Sequence, residues 1–170
     1  MNMLVTELAK PKRTVRTPHI NIRLAEAPDA APLARFLGTF FARSEWASCL
    51  EYHEGKSRLY LEHALNTKFA MYVIALDGDE IVGVCSYHVF DVFTDPLAVM
   101  DETYTTEKYQ RTDLGRRLVA MVLELAKTVD GCKVMNFPIC SGMKEQNSLM
   151  NMVGRHFGAK PVGMIFRKDL

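Results

Sequence analysis

The middle of this chain holds two β-rich runs, residues 69–76 (FAMYVIAL) and 80–90 (EIVGVCSYHVF), joined by Asp77-Gly78-Asp79. Asp-Gly accepts the positive φ that a tight hairpin turn needs, so the two runs pair antiparallel. That pairing excludes a purely parallel, doubly wound sheet whatever the flanking segments do. Ahead of it, Ile20, Ile22 and Leu24 alternate with polar neighbours as a short half-buried strand. Leu33, Phe36, Leu37, Phe40 and Phe41 then recur on one stripe of a helix that Asp29 can cap. Segment 44–56 is irregular, and its Trp46, Tyr52 and His53 line a pocket or simply pack. Ser57 reads as the cap of a second helix with Leu61, Ala64 and Leu65 inward and Asn66 near its end.

After the hairpin, residues 97–106 (LAVMDETYTT) are strand-like although Asp101 and Glu102 fall in succession. Leu114, Leu118, Val122, Leu125 and Val129 mark one face of a helix over 115–129 that Gly131 ends. A buried strand over 132–139, a helix over 141–157 stopped by Gly158, and a last strand over 161–168 complete the pattern. The order β-α-α-β-β-β-α-β-α-β predicts a mixed α+β (α/β) fold, a mixed sheet flanked by helices.

The 170 residues have room for one domain with a proper core. Lys and Arg total 21 against 20 Asp and Glu, a balance that argues against a surface built for nucleic acid or anionic membrane. No run approaches the roughly 20 apolar residues of a membrane span, and the N-terminus lacks the apolar run of a secretory leader, so a cytoplasmic location is expected. Cys49, Cys85, Cys132 and Cys140 form no CxxC pair and lie near no histidine at finger spacing; they read as reduced and mostly buried, with no metal site. His53, His63, His88 and His156 read as structural or surface residues. Residues 1–18 carry Lys10, Lys12, Arg13 and Arg16 against Glu7 alone. They form a mobile arm or a contact for an anionic partner, ahead of a single domain over 19–170.

The junction Glu107-Lys108-Tyr109-Gln110-Arg111-Thr112-Asp113-Leu114-Gly115-Arg116-Arg117 runs from a strand through a turn into a helix N-terminus. Free N–H groups and the helix dipole favour an anion there, Gly115 permits close approach, and Arg111, Arg116 and Arg117 add positive charge. The same residues also make an ordinary helix start with solvated arginines. The junction resembles the pyrophosphate loop of the GNAT superfamily of N-acetyltransferases, Gln/Arg-x-x-Gly-x-Gly/Ala, with Gln110 and Gly115 matching and Asp113 in place of the first glycine. Asp113 either turns outward to cap the helix or weakens coenzyme A binding. Downstream, Asn147 and Gly158 match a second family pattern, and Gly154 stands where many members carry the Tyr that protonates the departing thiolate.

The resemblance spans about residues 20–170 and implies a mostly antiparallel sheet splayed between its fourth and fifth strands. It implies acetyl-CoA as co-substrate, held in that splay by Gln110, Arg111, Thr112, Asp113, Leu114, Gly115, Arg116 and Asn147. The backbone of Thr103, Tyr104 and Thr105 would pair with the pantetheine as with an added strand. Acetyl transfer to an amine needs a base, and Glu102 is the preferred candidate. It shares a strand face with Tyr104, while Asp101 points the other way. Ser141, Ser148, Tyr104 and Cys140 are candidate thiolate donors. The expected reaction is direct attack of a primary amine on the thioester through a tetrahedral intermediate. The acceptor, a small molecule or a peptide, is selected by segment 44–66 and the middle hairpin. Nucleic acid and membrane are not expected partners, and a homodimer is left open. Asp113 and Gly154 motivate the alternative, a catalytically silent domain of the same fold that binds acyl-CoA or a protein.

Overall fold

The computed structural model describes residues 15–68, 70–90, 95–138 and 146–160. Its elements are β1 (Asn21–Leu24), α1 (Ala30–Phe41), α2 (Glu54–Thr67), β2 (Ala70–Asp77), β3 (Glu80–Phe90), β4 (Leu97–Thr105), α3 (Leu114–Lys127), β5 (Val134–Asn136) and α4 (Gln146–Phe157). The five strands lie in the order β1-β2-β3-β4-β5. All neighbours are antiparallel except β4 and β5. The β2–β3 turn is closed by Gly78 at φ +62°, a conformation that costs glycine nothing.

Helices cover both faces. Val73, Cys85, Tyr87 and Met100 pack on one side with Leu118, Val119 and Val122 of α3, and Leu149 and Met152 of α4 join them. Tyr72, Ile74, Val84 and Tyr104 pack on the other with Leu33, Phe36 and Leu37 of α1 and Leu61 and Ala64 of α2. Strands buried on both faces read as nearly continuous apolar runs, which is why β2 and β3 show little alternation.

Two features of β4 shape everything that follows. The first is a bulge: Met100 pairs with Tyr87 and Thr103 with Cys85, so Asp101 and Glu102 together oppose the single residue Ser86. One extra residue reverses the alternation. Met100 accordingly faces α3 while Tyr104, four residues on, faces α1. The second is the shortness of β5, which among the described residues pairs with β4 at Leu97, Ala98 and Val99 alone. Among the described residues no strand flanks residues 100–105 on that side, and the sheet opens between β4 and β5.

Several local expectations change. β5 spans three residues instead of 132–139 and is not buried, Val134 being 57% exposed. α2 begins at Glu54, so Ser57 lies inside the helix, where its hydroxyl meets the Tyr52 phenol at 2.7 Å. Asp29 sits at the α1 N-cap position but turns back to Arg23, bonded at 2.6 and 2.9 Å, and to the Glu26 N–H. Of the described cysteines only Cys85 is buried; Cys49 is exposed and Cys132 half-buried. Residues 1–14, Cys140, Ser141 and the expected strand over 161–168 lie outside the described residues.

Candidate active site

Where β4 opens, a cavity of about 350 Å³ lies between the sheet and the α1–α2 side of the domain. Leu37, Phe40 and Phe41 of α1 form one wall. The connection to α2 contributes Trp46 and Tyr52, α2 itself Ser57, Tyr60 and Leu61, and β2 the ring of Tyr72. Gly38 makes one of these placements possible: a Cβ there would come within 2.9 Å of the Tyr52 ring, which packs on α1 and sends its hydroxyl to the Ala34 carbonyl at 2.5 Å. Residues 100–103 of β4 supply the floor, and Pro138 and Leu149 close the far side.

The bulge brings both carboxylates to this cavity, and Asp101 therefore does not point away from Glu102 as regular alternation requires. Glu102 is half-buried and accepts the Ser86 hydroxyl, while its own N–H donates to Ser86 Oγ at 3.1 Å. Burial pushes its carboxyl above the ordinary range; the Ser86 bond works against that shift and the neighbouring Asp101 adds to it. Asp101 is more open and meets His88 Nδ1 at 2.6 Å; His88 in turn packs edge-on against Phe90, 4.2 Å between centroids. Tyr72 shares a hydrogen bond with Tyr60, and burial followed by the Glu102 charge holds its phenol protonated.

Tyr104 takes no part in the cavity lining. Its ring packs at 4.7 Å from Phe40 and 5.4 Å from Phe36, and its hydroxyl accepts from Arg43 at 2.8 Å. Thr103 turns to the α3 side, where its hydroxyl meets Cys85 Sγ at 3.2 Å and Met100 Sδ at 3.0 Å. Burial pushes the Cys85 thiol up to about 12, so it is no thiolate near neutral pH and no competing nucleophile. The hairpin turn lies apart from the cavity: Asp77 at its start accepts from Tyr109 and from Lys108, the latter at 3.0 Å.

The loop over 110–117 is the second part of the site. Tyr109 and Leu114 anchor it in the core at 4% and 0% exposure. Positive φ falls at Arg111, +66°, and not at Asp113, whose φ of −80° any residue adopts. Asp113 occupies the N-cap position of α3 with no side-chain cap bond, and just ahead of it the Thr112 hydroxyl accepts the Leu114 N–H at 3.2 Å. The next two N–H groups, of Gly115 and Arg116, have no acceptor among the described residues, and a Cβ on Gly115 would meet nothing within 4 Å. Gln110 is half-buried beside them, and Arg111 and Arg116 are exposed.

Asp113 neither caps α3 nor faces the open side of the loop. Its buried carboxylate accepts the Thr17 N–H at 2.9 Å and the Thr17 hydroxyl at 2.6 Å. Burial alone would raise its pKa, but the two Thr17 bonds, with Arg117 and Arg116 nearby, hold it below the usual value. Val15 bridges to Thr112 and accepts the Asp113 N–H at 2.9 Å, while Arg117 donates to the carbonyls of Thr17 and Ile20. Val15 and Thr17 are thus bonded to the loop, and Arg117 is used within the fold.

Asn147 stands in the first turn of α4, with its side chain, like that of Ser148, outside the described residues. Gly154 is exposed near the end of α4 and brings no donor to the cavity. Residue-by-residue reading missed Ser86, Tyr60, Tyr72 and His88. Ser86 carried a signal, as the one aliphatic hydroxyl in the run Val82-Gly83-Val84-Cys85-Ser86-Tyr87. The other three carried none, because their partners are distant in sequence.

Residues 39–141 match the model of the acetyltransferase (GNAT) family. Solved structures share the fold at low identity. An aminoglycoside acetyltransferase from an uncultured soil metagenomic sample, in complex with sisomicin, has a TM-score of 0.67 and 17% identity, over 89% of this chain and 97% of that one. A ribosomal-protein-alanine N-acetyltransferase from Brucella melitensis biovar Abortus 2308 has a TM-score of 0.64 and 14% identity, over 88% and 99%. A protein from Clostridium acetobutylicum described as a predicted acetyltransferase, solved with acetyl-CoA, has a TM-score of 0.65 and 12% identity, over 88% and 96%. No curated protein matches the sequence. No described helix is long and apolar enough to cross a membrane.

Proposed function

Because the chain belongs to the GNAT family of acetyltransferases, we propose that it transfers an acetyl group from acetyl-CoA to a primary amine. The observation that carries this reading is the half-buried Glu102 on the bulge of β4, facing an aromatic cavity where the sheet opens. The donor side fits the same reading. A helix N-terminus whose Gly115 and Arg116 N–H groups have no acceptor among the described residues, open space at Gly115, and exposed Arg111 and Arg116 suit a pyrophosphate. The backbone of residues 103–105, unflanked on the β5 side, suits an amide-bearing chain laid along the strand edge.

An amine enters largely as the ammonium and must lose a proton before it can attack. Glu102 accepts that proton, and the raised carboxyl makes it a better base near neutral pH than an ordinary glutamate. The freed lone pair attacks the thioester carbonyl, the C–N bond forms and the C–S bond breaks. The second nitrogen proton ends on the departing sulfur. A thiol with an ordinary pKa of about 8.5 leaves without obligatory protonation, so Gly154 does not block the reaction. Backbone N–H groups at the open edge of β4 are suited to receive the developing oxyanion.

The test is thiol release from acetyl-CoA by the full chain over a panel of primary amines, with N,N-dimethylated counterparts as controls. Release that requires both protein and primary amine supports the proposal. Micromolar acetyl-CoA binding by calorimetry with no release from any primary amine would replace it with a silent acyl-CoA-binding domain.

A further inference from the structure

The acceptor side of the cavity has a composition that acetyl transfer alone does not require. Among the described residues the only charged side chains lining it are Asp101 and Glu102; no lysine or arginine faces in. Its walls are largely rings, those of Phe40, Phe41, Trp46 and Tyr60 among them. The geometry points to one class of acceptor: a compact primary amine whose cationic nitrogen sits on a flat apolar body, as in an arylalkylamine. This assignment rests on the acetyl-transfer reading of the same site.

Three features select that class. First, two carboxylates on one bulge, with aromatic faces around them, attract a cation and repel an acidic peptide or a phosphorylated acceptor. Asp101 is fixed by His88 at 2.6 Å, and so holds the ammonium as a positioning residue while Glu102 takes its proton. Second, the polar groups on the walls already have partners. The Tyr52 hydroxyl is bonded to Ser57 and the Ala34 carbonyl, and Tyr72 is bonded to Tyr60. A sugar brings several hydroxyls that would lose water and find few partners here, whereas an aromatic ring loses nothing. Third, a volume of about 350 Å³ lies at the small end of ligand pockets, which suits a single ring with a short amine tail.

Trp46 is the chain's one tryptophan and lines the cavity, so its fluorescence reports acceptor binding without turnover. The experiment titrates the full chain, saturated with coenzyme A, with 2-phenylethylamine, its uncharged analogue 2-phenylethanol, and glucosamine. We expect saturable binding of the arylalkylamine at least about tenfold tighter than either comparator, the factor that one charge contact or one aromatic contact supplies. Asp101→Asn should remove most of the advantage over the alcohol, and Tyr60→Ala, at a residue 49% exposed, should weaken amine and alcohol alike. Glucosamine or the alcohol binding as tightly as the arylalkylamine, or no saturable change with any probe, overturns the assignment, and the wild-type comparison needs no variant to fold. Thiol release separates the two readings. Release with glucosamine and not with the arylalkylamine rejects the acceptor class and keeps acetyl transfer. Selective arylalkylamine binding without release does the reverse.

Discussion

The loop over 110–117 and the cavity over Glu102 are the two halves of the proposed site, yet they are built on opposite plans. The loop is made of contiguous residues and offers backbone: the N–H groups of Gly115 and Arg116 and the empty space beside Gly115. The cavity is made of side chains from α1, α2, β2, β4 and the segments between them, and its polar floor exists only because β4 gains a residue opposite Ser86. A site built from backbone tolerates side-chain change, so Asp113 can replace a family glycine by turning to Thr17. A site built from scattered side chains has no such freedom. It is the cavity, not the loop, that defines what is particular to this chain.

Substitutions should expose that difference. The largest effect is expected from Glu102→Gln, a loss of about 10²-fold or more in turnover with acetyl-CoA affinity unchanged. A loss in affinity without loss in turnover would move Glu102 out of the acceptor side. Gly115→Glu should do the opposite, lowering acetyl-CoA affinity by about 10²-fold through blocked N–H groups and like charge, measured by calorimetry. Unchanged affinity would leave the loop an ordinary helix start.

Asp113→Ala acts on the seam between the N-terminal segment and the loop. It should cost about 1.5–3 kcal/mol in denaturant unfolding, because Thr17 loses a charged acceptor. The Asp113 carboxyl lies below its ordinary 3.8 in the folded chain, so this contribution is present above that pH and is lost as pH falls through the folded value. The gap between wild type and variant should therefore close in acid; a gap independent of pH would assign the cost to packing. The smallest effect is expected from Arg111→Gly. It relieves a positive φ of 66° and should raise stability by about 1 kcal/mol while weakening acetyl-CoA through loss of one cation.

How much of this was legible in the sequence follows from the range of the interactions. The hairpin at Gly78, the stripes of α1 and α3 and the loop at 110–115 depend on neighbours a few residues apart, and all are readable from spacing. The bulge depends on which β3 residue faces Asp101, a register set across the sheet. The Thr17–Asp113 bonds span 96 residues, and no local pattern announces them. Ser57 is no cap because α2 begins earlier, at Glu54, and the Ser57 N–H already donates to the His53 carbonyl. Residues 132–139 read as buried because Val134, Met135 and Phe137 are apolar, but among the described residues β5 pairs with β4 alone, for three residues, and Val134 and Asn136 are exposed. Trp46 and Tyr52 were placed in the right segment, whereas Tyr60 and Tyr72 became cavity residues only once α2 was laid over β2.

In the proposed reaction the half-buried carboxylate of Glu102 on the β4 bulge takes the proton from an incoming amine. The pH dependence of kcat/KM in wild type and Glu102→Gln, with an amine that supports thiol release, tests it most directly. With Glu102 as the base, the wild-type rate should rise through an ionisation above the ordinary glutamate range, and the much slower variant should lack that step. The same ionisation, at the same pH, persisting in Glu102→Gln would contradict it.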